Sequence, residues 1–302
     1  MVAKSIDSLI QKVDQIPTLP MVSNQIIGLL SVEDVSIKKV AGLIEKDQAL
    51  AVKILKIANS AFYGTLSKVS TIDHALVILG IGEVRGILLA FSIRNFFSDN
   101  TGDGFDRTRF WKHSIICSQV AKYLARHFRV QNDDTLFLSG LIHDMGKVVF
   151  DQYFHDEFLQ IIDYVESNNE NFSRAEKEIL GITHYQVAAE LLKRWKFPER
   201  VLMNVFYHHA PWQDKNYVAG SIVIYLANML TKFAGYPCLT SEKKVEIEQF
   251  ANSKAMDFIV QSGFDLGPGA IEKMIHQIRD FISVEGQSIF SFLEVLWVKK
   301  RL

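Results

Sequence analysis

Apolar positions recur along this chain at the period of an α-helix. In "MVAKSIDSLIQKVDQ", residues 1–15, Ile6, Leu9, Ile10 and Val13 share one helical face. After a Ser36 cap, Val40, Leu43 and Ile44 form another. Leu50, Ile54, Ile57 and Ala58 repeat the spacing, and Asn59 and Ser60 close that helix. Thr71 precedes Ile72, Ala75, Leu76 and Leu79, and Gly80 stands in the usual stop position. "SRAE" at 173–176 and "THYQ" at 183–186 both have capping-box form. Pro198 suits the first turn of a helix reading "PERVLMNVFYHH". No pair of segments alternates as paired strands would, so the pattern predicts an all-α fold.

Two breaks divide this pattern. "SDNTGDGFD", residues 98–106, is rich in Gly and Asp and reads as a junction. "FAGYPCLT", residues 233–240, is the second. The expected organisation is a front helical subdomain over 1–100, a second helical subdomain over 101–235, and a C-terminal helical extension over 236–302. In the front part, "IPTLP" at 16–20 reads as a rigid extended turn between helices, because each Pro fixes its own backbone and biases its predecessor away from helix.

Composition narrows the function classes. The chain has 302 residues, of which 48% are hydrophobic, enough for a substantial core. A net charge of −1 argues against nucleic-acid binding through bulk charge. The basic end Lys299-Lys300-Arg301 reads as a solvated helix end. Two cysteines, Cys117 and Cys238, form neither a disulfide framework nor a zinc-type spacing. The runs "GILLAFSI" and "SIVIYLANML" fall short of the roughly 20 residues a membrane span requires. The expectation is a soluble, cytoplasmic protein with no membrane or nucleic-acid partner.

The informative anomaly is polar chemistry on apolar faces. "LSGLIHDMGKVVF", residues 138–150, sets His143, Asp144 and Lys147 among Leu, Ile and Val. His113 aligns with Ile116, Val120 and Leu124, and His184 with Val187, Ala188 and Leu191. His208 and His209 follow Val201, Leu202 and Val205, while Asn228 lies beside Ile224 and Tyr225 on an apolar helix. A buried polar group costs free energy unless it is satisfied. One such histidine is ordinarily a hydrogen-bonded core residue. Several on separate helices, together with a carboxylate, are what a divalent transition metal requires. His155 repeats the His-Asp dipeptide but lacks the following Gly-Lys, and its acidic neighbours suggest an exposed face. His74, His127 and His276 read as surface or ordinary core residues.

These motifs carry a resemblance. "WKHS", "GLIHDMGK", "THYQVAAELLKRW" and "FYHHAPW", in that order, resemble the HD superfamily of helical metal-dependent phosphohydrolases. "IPTLP", "IEKDQALAVKILKIANSAFYG" (44–64) and "STIDHALVILGIGEVRGI" (70–87) resemble the HDOD family, the HD-related output domain of bacterial signalling proteins. The resemblance covers roughly residues 10–230. It implies a front bundle packed on an HD-like bundle, and a regulatory module with signalling proteins as partners.

In the related HD-GYP phosphodiesterases, which cleave cyclic di-GMP, matching motifs bind metals. Carried over, the resemblance implies His113, His143, Asp144, His184, His208 and His209 as ligands of one or two ions of Fe, Mn, Zn or Ni. Lys147 takes the position of a lysine that contacts substrate phosphate. Two departures stand out. Asn228 replaces the usual late Asp ligand, and Arg109 replaces a Glu found one turn before the first His. An amide in place of a carboxylate removes a negative charge from the shell and weakens the ion shared by His113, His143 and Asp144. The reading is therefore a regulatory module with a retained metal site. The alternative is a phosphohydrolase acting on a nucleotide or cyclic dinucleotide, with Asp144 and Lys147 as its catalytic residues.

Overall fold

The computed structural model describes residues 36–59, 63, 68–96, 104–131, 133–267 and 269–297, all helical or loop, with no strand among them. The Ile6–Val13 face, the "IPTLP" turn and the Lys299–Arg301 end lie outside the described residues. The front helices are α1 (Ile37–Ile44), α2 (Gln48–Ala58), α3 (Ile72–Leu79) and α4 (Ile81–Phe96). The central ones are α5 (Arg107–His127), α6 (Asp133–Ile142), α7 (Met145–Tyr153), α8 (His155–Asn168), α9 (Phe172–Ile179), α10 (His184–Arg194), α11 (Glu199–Phe206) and α12 (Val218–Phe233). Then follow α13 (Ile247–Ala251), α14 (Lys254–Gln261) and α15 (Ala270–Trp297).

Local signals set many of these boundaries. Thr71 caps α3 by accepting from the His74 N–H, and Gly80 ends it at φ 83°. Asn59 closes α2, and its amide also pins the Val69 backbone through two 2.8 Å bonds. Thr183 and Gln186 form the expected capping box at the start of α10. "SRAE" does not form one. Asn171 is the cap of α9, accepting from the Ser173 N–H, because the Glu176 carboxylate is buried and engaged with His184 instead. Pro198 precedes α11 as its cap residue, and that helix stops at Phe206, short of the histidine pair.

The core is continuous. α5 packs on α6 and α12, α6 also meets α4 and α11, and α10 lies against α7 and α11. Ile116, Val120 and Leu124 of α5 are buried, as are Ile54, Ile57 and Ala58 of α2. The long α15 touches α2, α5 and α12, so the end of the chain bridges front and central helices. No helix among the described residues is long and apolar enough to cross a membrane.

Candidate metal centre

Chain breaks place most of the polar side chains at the centre. His143 and Asp144 occupy the gap between α6 and α7, not the interior of a helix. Asp144 precedes α7 without capping it, which leaves its carboxylate turned inward. His184 is the first residue of α10, and His208 and His209 lie in the turn after α11. Consecutive residues on a helix point about 100° apart, so an intact helix would splay these two histidines. In the turn their rings come to 4.0 Å between centroids. Of these histidines, His113 alone projects from mid-helix, on α5.

Asp144 is the hub. Its Oδ1 lies 3.1 Å from His184 Nε2 and 3.6 Å from His208 Nε2. Its Oδ2 lies 3.5 Å from His143 Nε2 and 3.9 Å from His113 Nε2. His209 Nε2 is 3.1 Å from His184 Nε2. Donor atoms of Asp144, His184, His208 and His209 all fall within 4.8 Å of one another. His113, His143 and Cys117 form a second such group, and Asp144, Cys238 and Glu242 a third.

The other ring nitrogens decide the protonation pattern. Nδ1 of His113 donates to the Tyr236 carbonyl at 2.7 Å, that of His143 to Gly140 at 2.8 Å, and that of His208 to Val205 at 2.6 Å. Nδ1 of His184 donates to Glu176, whose two oxygens are each 2.8 Å away. A neutral imidazole with its proton on Nδ1 carries a lone pair on Nε2. Three bare Nε2 lone pairs, those of His113, His143 and His208, therefore converge on a carboxylate, with His184 Nε2 directed at the same group. His113 and His143 even oppose theirs at 3.3 Å. Asp144 Oδ1 and His208 Nε2 are both buried without a hydrogen-bond partner. A cation resolves all of these contacts at once, and outward Nδ1 partners are the usual orienting shell of metal-bound histidines.

Electrostatics point the same way. Burial lowers the pKa of His113 to about 4 and holds His143, His208 and His209 below the ordinary histidine value, so these rings are neutral donors. Burial also acts to lower His184, but the Glu176 and Asp144 carboxylates push it up overall. Burial would raise the Asp144 carboxyl; Lys147 and His143 beside it bring it well below the usual range.

Lys147, which the resemblance marked, and several residues that sequence reading did not assign to the site complete the surroundings. Glu176 orients His184. Lys147 is buried, 2.8 Å from Asp144 Oδ2 and 3.1 Å from Glu242 Oε1. Glu242 and Cys238 come from the segment after α12, which carries no recognisable motif, and Lys232 from the end of α12 itself. Only the wrong reading of Glu176 as a capping residue offered a signal: a carboxylate eight residues before His184.

The remaining candidates divide. Asn228 is buried on α12 with its Oδ1 unpartnered. Arg109 is part-exposed and lies 3.8 Å from Asp106 at the start of α5. His74, His127 and His276 are exposed. His155 departs from expectation: it is half-buried, because its Nδ1 lies 3.0 Å from the buried Asp151 carboxylate, which Arg107 also holds.

Comparison with known proteins matches this chain to a family. The family model described as HDOD domain matches residues 16–211. An uncharacterized protein of Treponema pallidum (strain Nichols) is 24% identical over 260 residues, covering 84% of this chain and 48% of that protein. The uncharacterized protein YuxH of Bacillus subtilis (strain 168) is 27% identical over 139 residues, covering 46% of this chain and 32% of YuxH. The chain thus spans half or less of these curated relatives. Among solved structures, an HDOD domain protein of unknown function from Geobacter sulfurreducens aligns with a TM-score of 0.72 at 24% identity over 97% of both chains. A protein from Shewanella amazonensis SB2B, provisionally described as a phosphohydrolase, aligns at 0.73 with 23% identity over 95% of this chain and 98% of its own. One from Marinobacter aquaeolei VT8, provisionally described as a signal transduction protein, aligns at 0.76 with 21% identity, over 96% and 65% respectively. All three share the fold.

Proposed function

Since this chain belongs to the HDOD domain family, whose model spans residues 16–211, we propose that it is a regulatory module of bacterial signal transduction that retains an HD-type metal site. The module acts by presenting helical surfaces to partner proteins, and the metal cluster braces those helices or senses a ligand. One observation carries the metal reading: imidazole Nε2 atoms from α5, the α6–α7 break, α10 and the turn after α11 converge on the buried Asp144 carboxylate. Asp144, His184, His208 and His209 would hold one ion. His113 and His143, with the second Asp144 oxygen and Asn228, would hold a weaker second one. Nitrogen and carboxylate donors suit Fe, Mn, Zn or Ni.

The second reading is a metal-dependent phosphohydrolase acting on a nucleotide or cyclic dinucleotide. The closeness of the Lys147 ammonium to Asp144 favours it, since that pair could hold phosphate charge and orient the group that attacks phosphorus. When bound, the ion would supply Lewis acidity. Against it stands Glu242, which occupies the Lys147 ammonium.

Metal analysis of the purified protein, followed by turnover of bis(p-nitrophenyl) phosphate with added Mn²⁺, separates these readings. The expected result is bound transition metal in the wild type, its loss in Asp144→Ala, and no turnover in either. Turnover abolished by Asp144→Ala would establish the hydrolase instead. A wild type that neither retains nor takes up metal would end the metal reading.

A further inference from the structure

Glu242 lies in the non-helical connection between α12 and α13, and its carboxylate is shared between two ammonium groups. Oε1 is 3.1 Å from Lys147 Nζ, and Oε2 is 2.7 Å from Lys232 Nζ. The carboxylate is almost fully enclosed. The same connection touches the centre twice more. The Tyr236 carbonyl receives the His113 Nδ1 proton, and the buried Cys238 thiol lies within 4.8 Å of carboxylate oxygens of Asp144 and Glu242. The strap thus rests on the candidate metal centre at three points.

Charge defines what the cradle accepts. Lys147 is already opposed by Asp144, while Lys232 is paired with Glu242. Removing Glu242 leaves the buried Lys147 ammonium and the half-buried Lys232 ammonium facing one carboxylate, an anion-binding arrangement beside the proposed ion. Two oxygens of a phosphoryl group can bridge two ammoniums as the Glu242 oxygens do, with more negative charge. The strap is anchored by the buried Cys238 and Leu239 and is free of such anchors only at its far end. Gly235 starts it at φ 102°, and residues 243–246 are exposed and non-helical.

We propose that Lys147 and Lys232 form a phosphoryl-binding subsite that Glu242 occupies as an internal stand-in, and that a phosphate-bearing ligand binds by displacing Glu242 and lifting the 236–246 strap. This deepens the regulatory reading above and rests on it: release of the strap withdraws Tyr236 from His113 and exposes new surface next to α13, which is how ligand binding reaches a partner.

The test is titration of the full chain with inorganic phosphate, at constant ionic strength against chloride. Glu242→Gln keeps the shape and removes the competing charge, so phosphate affinity should rise at least about tenfold, the gain expected when a mostly closed state is opened. Adding Lys232→Gln should cancel that gain. Unchanged affinity in a folded Glu242→Gln chain overturns the proposal, as does a gain that persists without Lys232. Should the variant not fold, the wild type decides. Alkylation of Cys238, followed by peptide mass spectrometry, should accelerate with phosphate but not with chloride; a rate indifferent to phosphate overturns it. Metal analysis of the same samples keeps the two readings apart. Metal-free chains that still show the Lys232-dependent gain count against the metal site alone. Metal lost only on Glu242→Gln makes Glu242 an ion ligand and overturns the strap.

Discussion

Both carboxylate oxygens of Glu176 lie 2.8 Å from His184 Nδ1, and one of them also accepts the His184 backbone N–H at 3.2 Å. Three contacts therefore lock the ring, directing Nε2 at Asp144 and raising its basicity. Glu176→Gln keeps an acceptor but loses the charge. Metal affinity, measured by competition with a chromophoric chelator, should fall about 10- to 100-fold while the helical content stays the same.

Gly146 is required by backbone proximity. A Cβ there would stand 2.0 Å from the His184 carbonyl oxygen and 2.6 Å from its carbonyl carbon. Neither is the end of a flexible side chain, so α7 and the start of α10 would have to separate. Gly146→Ala should cost on the order of 1–3 kcal/mol in denaturant unfolding and move His184 away from Asp144. Metal content should fall together with stability.

Acid should weaken the metal-free protein. His113, with a folded pKa of about 4 against an ordinary 6.5, stays neutral where the unfolded chain takes up a proton. His143, His208 and His209 are shifted in the same direction. The unfolded state thus binds more protons below about pH 6.5, and stability falls as pH drops toward 4. The slope is about 1.4 kcal/mol per pH unit for each such histidine. His184, raised, acts oppositely: its contribution is complete below 6.5 and is lost as pH rises through its folded value. Below about pH 4.5 the decline should continue through Glu242. Burial would raise its pKa, but Lys232 and Lys147 bring it to about 2. Urea midpoints of chelator-treated protein between pH 7 and 4 measure this, and a flat profile would contradict it.

Asn228 offers a gain-of-function check. Its buried Oδ1 has no hydrogen-bond partner, so the amide carries a desolvation cost that a bound cation would offset. Asn228→Asp supplies a charged oxygen and should tighten metal binding and raise the metal stoichiometry toward two. Unchanged affinity would remove Asn228 from the ligand set.

Much of this protein was legible in its sequence. Helical periodicity predicted the all-α fold, and Thr71, Gly80 and Thr183 stand at helix ends as their chemistry requires. The burial of His113, His143, Asp144, His184 and His208 was legible because apolar neighbours at helical spacing marked it, whereas His209 is half-buried. These are local properties, carried by residues within a turn or two of one another. The break between α6 and α7, the stop of α11 before its histidine pair and the turning of Glu176 from cap to orienting carboxylate were decided by tertiary structure. So was the arrival of Glu242 at Lys147, 95 positions away along the chain. Each of these depends on burial and charge supplied by distant segments. A helix ends early, or a carboxylate leaves its cap, only when a partner from elsewhere in the chain offers a better contact than the local one.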